Sequence, residues 1–505
     1  MTVSHDVNRQ QPVDTGRLRT GLNPEAHAIV YGQYLNPAST ADALLEELRL
    51  ISTVDRAHLV MLADRGIVEQ DTARALLTEI DALRASDFAA LQGRPLPRGV
   101  YLAYEHYLSE TLGEKAGVLH TGRSRNDLNA TTVRLRARAP YTRLLSAVDM
   151  LADTLLARAE EYADATMPSY THGQPAVPIT YGHYLAGAAN GVLRALDDLV
   201  HAGSELDTNP LGAGAVGGTS VPIDTSRTTE LLGFATPTRN SVDAVASRDF
   251  VLRLLGAASV LGTVLVRVAR DLGAWCGDDA GLLVAADDLV GSSSMMPQKR
   301  NPFLLEHIQG KAAAALGSWT AAAHAMSTAG YTNAIAVGTE AAAHLWPGLL
   351  RTTEAVTLLR LMVAGIAPAA GRAVERCLSG HTTATYLAER LVLDGTPFRT
   401  AHHRVGRAVL DAVETDTPLT LGDSGPRCPH PGEVAAACAY GGGPGAVRDT
   451  LASLRAELRR TGAERSSREV RWNCSEELLI EAVRTLIRKE SDSNIKDPRR
   501  SDHFR

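Results

Sequence analysis

Much that would mark a particular protein class is scarce in this chain. Lys and Arg together number 51 against 57 Asp and Glu, a net charge of −6 with a pI near 6.3. That balance supplies no basic field for a sequence-independent grip on nucleic acid. The five cysteines, Cys276, Cys377, Cys428, Cys438 and Cys474, are odd in number and widely scattered, with no Cys-x-x-Cys pair and no zinc-like His/Cys spacing. A disulfide framework and a structural zinc site are both excluded, and the cysteines read as reduced thiols of a cytoplasmic protein. Residues 1–19 are polar and lack the apolar core of a secretory signal. The longest uncharged apolar helical stretch, residues 254–266 between Arg253 and Arg267, is too short to cross a bilayer, so no membrane partner is expected.

Aromatic residues are only 5% of the chain, so its core must be packed with aliphatic side chains. Glycine-rich phosphate cradles are missing as well. The glycines of Leu211-Gly212-Ala213-Gly214-Ala215-Val216-Gly217-Gly218 lack the strand-then-helix setting of a dinucleotide site and read as a loop between helices. No ligand cluster implies a metal, and no cofactor is expected. Lysine occurs only at positions 115, 299, 311, 489 and 496, which draws attention to one inside a polar loop.

What the chain has in abundance is helical periodicity. Leu144, Leu145, Val148, Leu151, Leu155 and Leu156 recur at spacings of three and four, the stripe of a helix that buries one face. Similar patterns cover residues 180–200, 249–275, 304–326 and 349–366. Small-residue faces such as Ala186-Gly187-Ala188-Ala189 let neighbouring helices approach closely, as in a bundle. The expected fold is all-α, a long central helix bundle flanked by two smaller helical domains. The divisions fall at residues 1–118, 119–369 and 370–465, followed by a polar tail, 466–505, around a short amphipathic helix.

Three words carry chemistry. The first, Gly291-Ser292-Ser293-Ser294-Met295-Met296-Pro297-Gln298-Lys299-Arg300-Asn301-Pro302, gathers hydroxyls, an ammonium, an amide and turn residues. A loop of this kind can take a proton and hold an anion, although serine, glycine and proline alone would mark only a turn. The second, His120-Thr121-Gly122-Arg123-Ser124-Arg125-Asn126-Asp127, offers guanidinium forks matched to carboxylate oxygens. In the third, Ser169-Tyr170-Thr171-His172-Gly173-Gln174-Pro175, a histidine among hydroxyls and an amide can relay a proton near neutral pH.

The stretch from Ser293 to Asn301 resembles the signature of the fumarase/aspartase superfamily. The other words, with Asn209-Pro210-Leu211-Gly212-Ala213-Gly214-Ala215 and Asn240-Ser241-Val242-Asp243-Ala244 through Arg248-Asp249-Phe250, follow in the order of the argininosuccinate lyases, over roughly residues 15–460. The resemblance implies a homotetramer in which each active site is assembled from three subunits, acting on a small dicarboxylate substrate. It implies anti-elimination of fumarate from a succinyl adduct, with Ser293 as the base that takes the Cβ proton. Ser294 would donate to a carboxylate, and Lys299 with Asn301 would hold the developing dianion. His172 paired with Glu306 would relay a proton on the leaving-group side. Ser124, Arg125, Asn126 and Thr171 would bind the succinyl group, and Met296, Tyr331 and Arg248 complete the implied substrate-binding set.

Departures from the family are as informative as matches. Ser292 stands where the family has glycine. Ala336 and Thr339, in Tyr331-Thr332-Asn333-Ala334-Ile335-Ala336-Val337-Gly338-Thr339-Glu340, replace a glutamine and a lysine that help to hold the family's substrate. Arg98-Gly99-Val100-Tyr101 replaces Glu-Asp-x-His ahead of the glutamate aligned with Glu105. Removing a buried charged partner costs about 2–5 kcal/mol, so an amine smaller or less polar than arginine is expected. A genuine argininosuccinate lyase and a catalytically silent homologue are the alternatives.

Overall fold

The computed structural model describes residues 37–94, 96, 99–291, 293–422 and 428–488. Two residues singled out above, Arg98 and Ser292, and the last part of the tail lie outside the described residues. Helices α1 (Pro37–Asp64), α2 (Gln70–Ala85) and α3 (Val100–Leu112) make an N-terminal layer. Five long helices follow: α4 (Arg125–Glu161), α5 (Tyr181–Ala202), α6 (Asp249–Cys276), α7 (Phe303–Ser327) and α8 (Leu345–Gly365), with the hairpin of β1 (Thr166–Thr171) and β2 (Gln174–Thr180) between the first two. Beyond them lie α9 (Ala370–Ser379), α10 (Ala384–Leu393), α11 (Phe398–Thr415) and α12 (Val447–Arg488). The fold is all-α, as expected.

The bundle forms because the expected stripes meet. Leu144, Leu145, Val148, Leu151, Leu155 and Leu156 of α4 are all buried, against Leu185, Leu193 and Leu196 of α5 and Val356, Leu359 and Val363 of α8, in one aliphatic core. Small residues set the spacing. A Cβ on Gly262 of α6 would sit 2.7 Å from the Ala312 carbonyl oxygen of α7, so any side chain there would push the two helices apart. By length and hydropathy α6 can span a bilayer. Here it is the centre of the bundle, with Phe250, Leu254, Leu261, Leu265 and Leu272 buried among its neighbours.

Successive long helices run in opposite directions. Arg134, in the third turn of α4, stacks its guanidinium over Phe250 at the start of α6, 5.1 Å from the ring centroid. At the far end of α4, Arg158 donates to the Ile366 carbonyl just after α8, 2.8 Å away. Strand residues Ile366–Pro368 pair antiparallel with Leu283–Ala285, which follow α6. The N-termini of α4 and α6 and the C-terminus of α7 therefore share one end of the bundle. The hairpin and the α6–α7 connection share the other.

The stretch around residue 466, read above as a tail with a short helix, is instead the middle of the 42-residue helix α12. Three of its arginines meet acidic partners from other helices and loops. Arg465 pairs with Asp149 of α4, and Arg468 and Arg471 both pair with Asp207, at 2.9 and 2.5 Å. The helix then runs on into the N-terminal layer, where Leu479, Val483 and Leu486 join a core built from α1, α2 and α3 together with Leu128, Leu211 and Phe234.

That core encloses polar groups. The Asp55 and Arg123 side chains, both fully buried, pair at 2.6 Å. Beside them His58 is buried, its Nε2 donating to the Thr121 carbonyl at 2.9 Å. Burial, with the Arg123 charge nearby, pushes the imidazole pKa down to about 3, so His58 is neutral throughout the neutral range. Between its unfolded value near 6.5 and about 3, the unfolded chain takes up a proton that the folded chain refuses. Stability should therefore fall as pH drops through that window, with His58 contributing a slope of up to about 1.4 kcal/mol per pH unit. Denaturant melts of the wild type and of His58→Asn at several pH values test this. A shallower pH dependence is expected in the variant, and an identical slope would refute the assignment.

Candidate active site

The residues of the second word sit at the N-terminus of α4. Ser124 caps the helix: its Oγ accepts from the Asn126 N–H at 3.3 Å, and its own N–H donates to Asp127 Oδ1 at 2.9 Å, closing a capping box. The Ser124 hydroxyl proton is left to donate outward. Arg125, in the first turn, is exposed. A guanidinium, a hydroxyl and the partial positive charge of a 37-residue helix thus converge at one exposed turn, an arrangement suited to a carboxylate.

Asp127, not assigned a role in the sequence, organises this end. It is fully buried, and its carboxylate also accepts from the Leu128, Gly212 and Gly214 N–H groups at 2.9–3.0 Å. Burial raises its pKa in spite of these donors. The Asn126 amide donates to the Ala215 carbonyl at 3.2 Å. Together the two residues bind the glycine loop of residues 211–215 to the start of α4. The Ser-x-x-Asp spacing of a capping box was the available signal for Asp127. Nothing local marked Asp55 or His58.

Tyr331 and Arg248 occupy the same end of the bundle. Tyr331 is exposed and donates to Asp243, and this bond holds its pKa up at about 12. Arg248 has no exposed surface. It donates to the Val245 and Ser247 carbonyls at 3.4 and 2.7 Å, and burial pushes its pKa down to about 9. A Cβ on Gly338 would lie 3.7 Å from Arg248 and 3.9 Å from Asn129. Arg248 thus lies beneath the segment after Tyr331, where residues Ala336–Ala341 form a π-helix. Ala336 and Thr339 lie on this turn, a local geometry frequent at functional sites.

The remaining residues stand at the opposite end. His172 and Gly173 form the two-residue tip of the β1–β2 hairpin, both with positive φ (54° and 76°). Histidine tolerates this left-handed region better than most side chains, and the turn presents Thr171 and His172 outward, both exposed. The serine loop is pinned at its neck by paired hydrogen bonds between Gly291 and Asn301, at 2.8 and 2.9 Å. Gly291 is required there, since a Cβ would meet the Phe303 ring at 2.9 Å. Arg300 pairs with Asp287 and donates to the Ala285 carbonyl at 2.8 Å, which fixes the loop's outgoing strand.

Within the loop the serines differ. Ser293 Oγ accepts from the N–H groups of Met295 and Met296, at 3.3 and 3.0 Å. Hydrogen bonds donated to an oxygen favour its anionic form. Ser294, Met296 and Lys299 are exposed, as is Glu306 in the first turn of α7. Among the described residues, no hydrogen bond or ion pair engages the side chains of His172, Lys299 or Glu306.

One chain therefore brings Ser124, Arg125, Asn126, Tyr331 and Arg248 to one end, and Thr171, His172, Ser293, Ser294, Met296, Lys299, Asn301 and Glu306 to the other. The 37 residues of α4 separate Ser124 from the hairpin by about 55 Å. The two sets cannot meet around one small molecule within a single chain.

Residues 62–317 match the family described as Lyase, and residues 381–423 match the argininosuccinate lyase C-terminal family. The chain is 33% identical over 404 residues to argininosuccinate lyase from Methanothermobacter thermautotrophicus, covering 79% of this chain and 84% of that protein. It is 36% identical over 366 residues to that of Halorhodospira halophila, covering 72% and 78%. Among solved structures, EDDS lyase in complex with formate superposes with a TM-score of 0.80 at 26% identity, covering 96% of this chain and all of that one. A variant of EDDS lyase with bound fumarate gives 0.79 at 26% identity, covering 94% and 98%. A class II fumarase from Schistosoma mansoni shares the fold, with a TM-score of 0.62 at 17% identity over 74% of this chain and 85% of the fumarase. The chain belongs to the fumarase/aspartase superfamily, as an argininosuccinate lyase-like carbon–nitrogen lyase.

Proposed function

We propose that the protein is a cytoplasmic homotetramer that eliminates fumarate from an N-substituted aspartate, or adds an amine to fumarate, with Ser293 as the base and an amine other than arginine. The observation that carries this reading is the pair of backbone N–H groups donating to Ser293 Oγ. A serine hydroxyl is ordinarily too weak an acid to serve as an alkoxide. Two donors, together with the Lys299 charge in the same loop, lower the cost of forming one. Ser294 has no such pair among the described residues.

In the forward direction Ser293 alkoxide takes the Cβ proton of the succinyl group. The electron pair moves into the adjacent carboxylate, whose aci form is held by Lys299 and Asn301. Collapse of that intermediate expels the amine from Cα, and His172, oriented by Glu306, delivers its proton. Ser124, Arg125, Asn126 and Thr171 grip the succinyl carboxylates, so that both halves of the reaction need groups from both ends of the bundle. Rods of this length satisfy that need by packing side by side in opposite directions, with one subunit's serine loop against another's α4 N-terminus. Val260, Leu316, Trp319 and Leu350 leave an exposed apolar strip on α6, α7 and α8 that suits such packing.

The non-arginine amine rests on Ala336 and Thr339. Neither can supply the amide or ammonium that the family places there, and the resemblance to EDDS lyase lends weight to an altered amine side. The names of the sequence relatives favour the second reading, an argininosuccinate lyase with a rebuilt amine pocket. Incubating the enzyme with fumarate and a panel of amines, then identifying adducts by mass, separates the two. Arginine as the best amine would establish the second reading, and no adduct with any amine would leave a silent homologue.

Ser293→Ala should lower turnover by about 10³-fold or more while the tetramer persists by light scattering. Near-normal turnover would remove Ser293 as base. Mixing Ser293→Ala with Ser124→Ala subunits and reassembling them should recover activity absent from either alone, up to about a quarter of wild type for random mixing. No recovery would refute sites shared between subunits.

A further inference from the structure

The loss of Glu-Asp-x-His ahead of Glu105 leaves Tyr101 where the related enzymes have histidine, and in the fold this tyrosine is placed at a junction. Its ring is buried in the N-terminal core. Arg123 Nη2 donates to its hydroxyl oxygen at 3.4 Å, while Arg123 is itself paired with Asp55 at 2.6 Å. On the other side the same hydroxyl lies 3.0 Å from His120 Nε2, which in turn lies 3.0 Å from Glu105 Oε1. The Tyr101 and His120 rings meet edge to face, with centroids 5.6 Å apart. His120 and Arg123 bracket the tight turn that ends at Ser124, with the Arg123 N–H donating to the His120 carbonyl at 3.2 Å.

We propose that Tyr101 is a positioning residue for the carboxylate-binding turn: its hydroxyl joins the buried Asp55–Arg123 pair to the His120–Glu105 pair, and so fixes the angle at which Ser124 and Arg125 leave the protein. The proposal rests on the reading of Ser124 and Arg125 as succinyl-binding groups. Burial raises the Tyr101 pKa, so the group acts as a neutral phenol. The turn is also tied by side chains that hold its backbone, His58 on the Thr121 carbonyl and the Asp127 carboxylate on the Ser124 N–H. Tyr101 is the group that links its His120 and Arg123 side chains. A positioning defect displaces the binding groups and leaves the proton-transfer groups, at the other end of the bundle, untouched. It therefore acts on fumarate affinity rather than on the rate of the bound complex.

The test uses the full-length tetramer, with fumarate binding by calorimetry and kinetics in the addition direction, for wild type, Tyr101→Phe, Arg125→Ala and the double variant. Tyr101→Phe should raise the fumarate Kd and KM by about tenfold with kcat changed by less than about threefold. The double variant should bind worse than Arg125→Ala by a smaller factor than Tyr101→Phe costs alone, because part of the Tyr101 effect acts through Arg125, and full additivity would overturn the proposal. Weakened binding in Arg125→Ala with wild-type affinity in Tyr101→Phe would overturn the positioning role alone. Unchanged binding in Arg125→Ala would overturn the carboxylate reading and this proposal with it. If Tyr101→Phe fails to assemble, Glu105→Gln loosens the same chain at its solvent edge. A KM rise of about threefold at an unchanged melting temperature is then expected, and an unchanged KM would overturn the proposal.

Discussion

The length of α4 is the constraint on which the rest depends. A 37-residue helix is a rod about 55 Å long, and it carries the capped turn of Ser124 at one end and a histidine-tipped hairpin at the other. The neighbouring helices α6, α7 and α8, of 28, 25 and 21 residues, run alongside it, and the α6–α7 connection sets the serine loop at the hairpin end of the bundle. Rigidity follows from close packing of aliphatic stripes and small residues, which leaves the two ends no way to approach each other. On the proposed reading each end is half a site, and the two halves are completed between chains.

The two halves are built differently, and the difference suits their tasks. The binding end is held by buried polar groups: Asp127 gathers four N–H groups, Asp55 pairs with Arg123, and neutral His58 fixes a carbonyl. Buried groups paired in this way are costly to disturb and set a narrow geometry for Ser124 and Arg125. The proton-transfer end is pinned only at its base, by the Gly291–Asn301 bridge and the Arg300–Asp287 pair. The loop between them is largely exposed: Ser293 Oγ receives only the two backbone N–H groups of Met295 and Met296, and the Lys299 ammonium meets no partner from its own chain among the described residues. A loop held at the neck can close over a substrate and exclude water when one arrives.

Much of this was legible along the chain. The leucine spacing of residues 144–159 gave the helix, and the order of the polar words gave the family, because both depend on neighbours a few residues apart. The 42-residue helix α12 was not legible: Arg465, Arg468 and Arg471 look like a solvated tail until Asp149 and Asp207 are brought opposite them. Arg248 is a similar case. The resemblance implied a substrate-binding role, and only the fold shows that its guanidinium is buried and donates to backbone carbonyls. Charge in a sequence does not say whether its partner is water or a residue 300 positions away.

By itself, the sequence determined the helical class, the family and the kinds of group available, since periodicity, composition and short motifs are local properties. The tertiary structure alone decided which of those groups share an end of the bundle, and which serine oxygen receives two backbone donors. It also decided that Tyr101, a departure from the family when read in sequence, lies between the Asp55–Arg123 pair and His120 beneath the turn that ends at Ser124. Those outcomes depend on where rods of fixed length begin and end and on contacts between distant segments, and no local pattern encodes them.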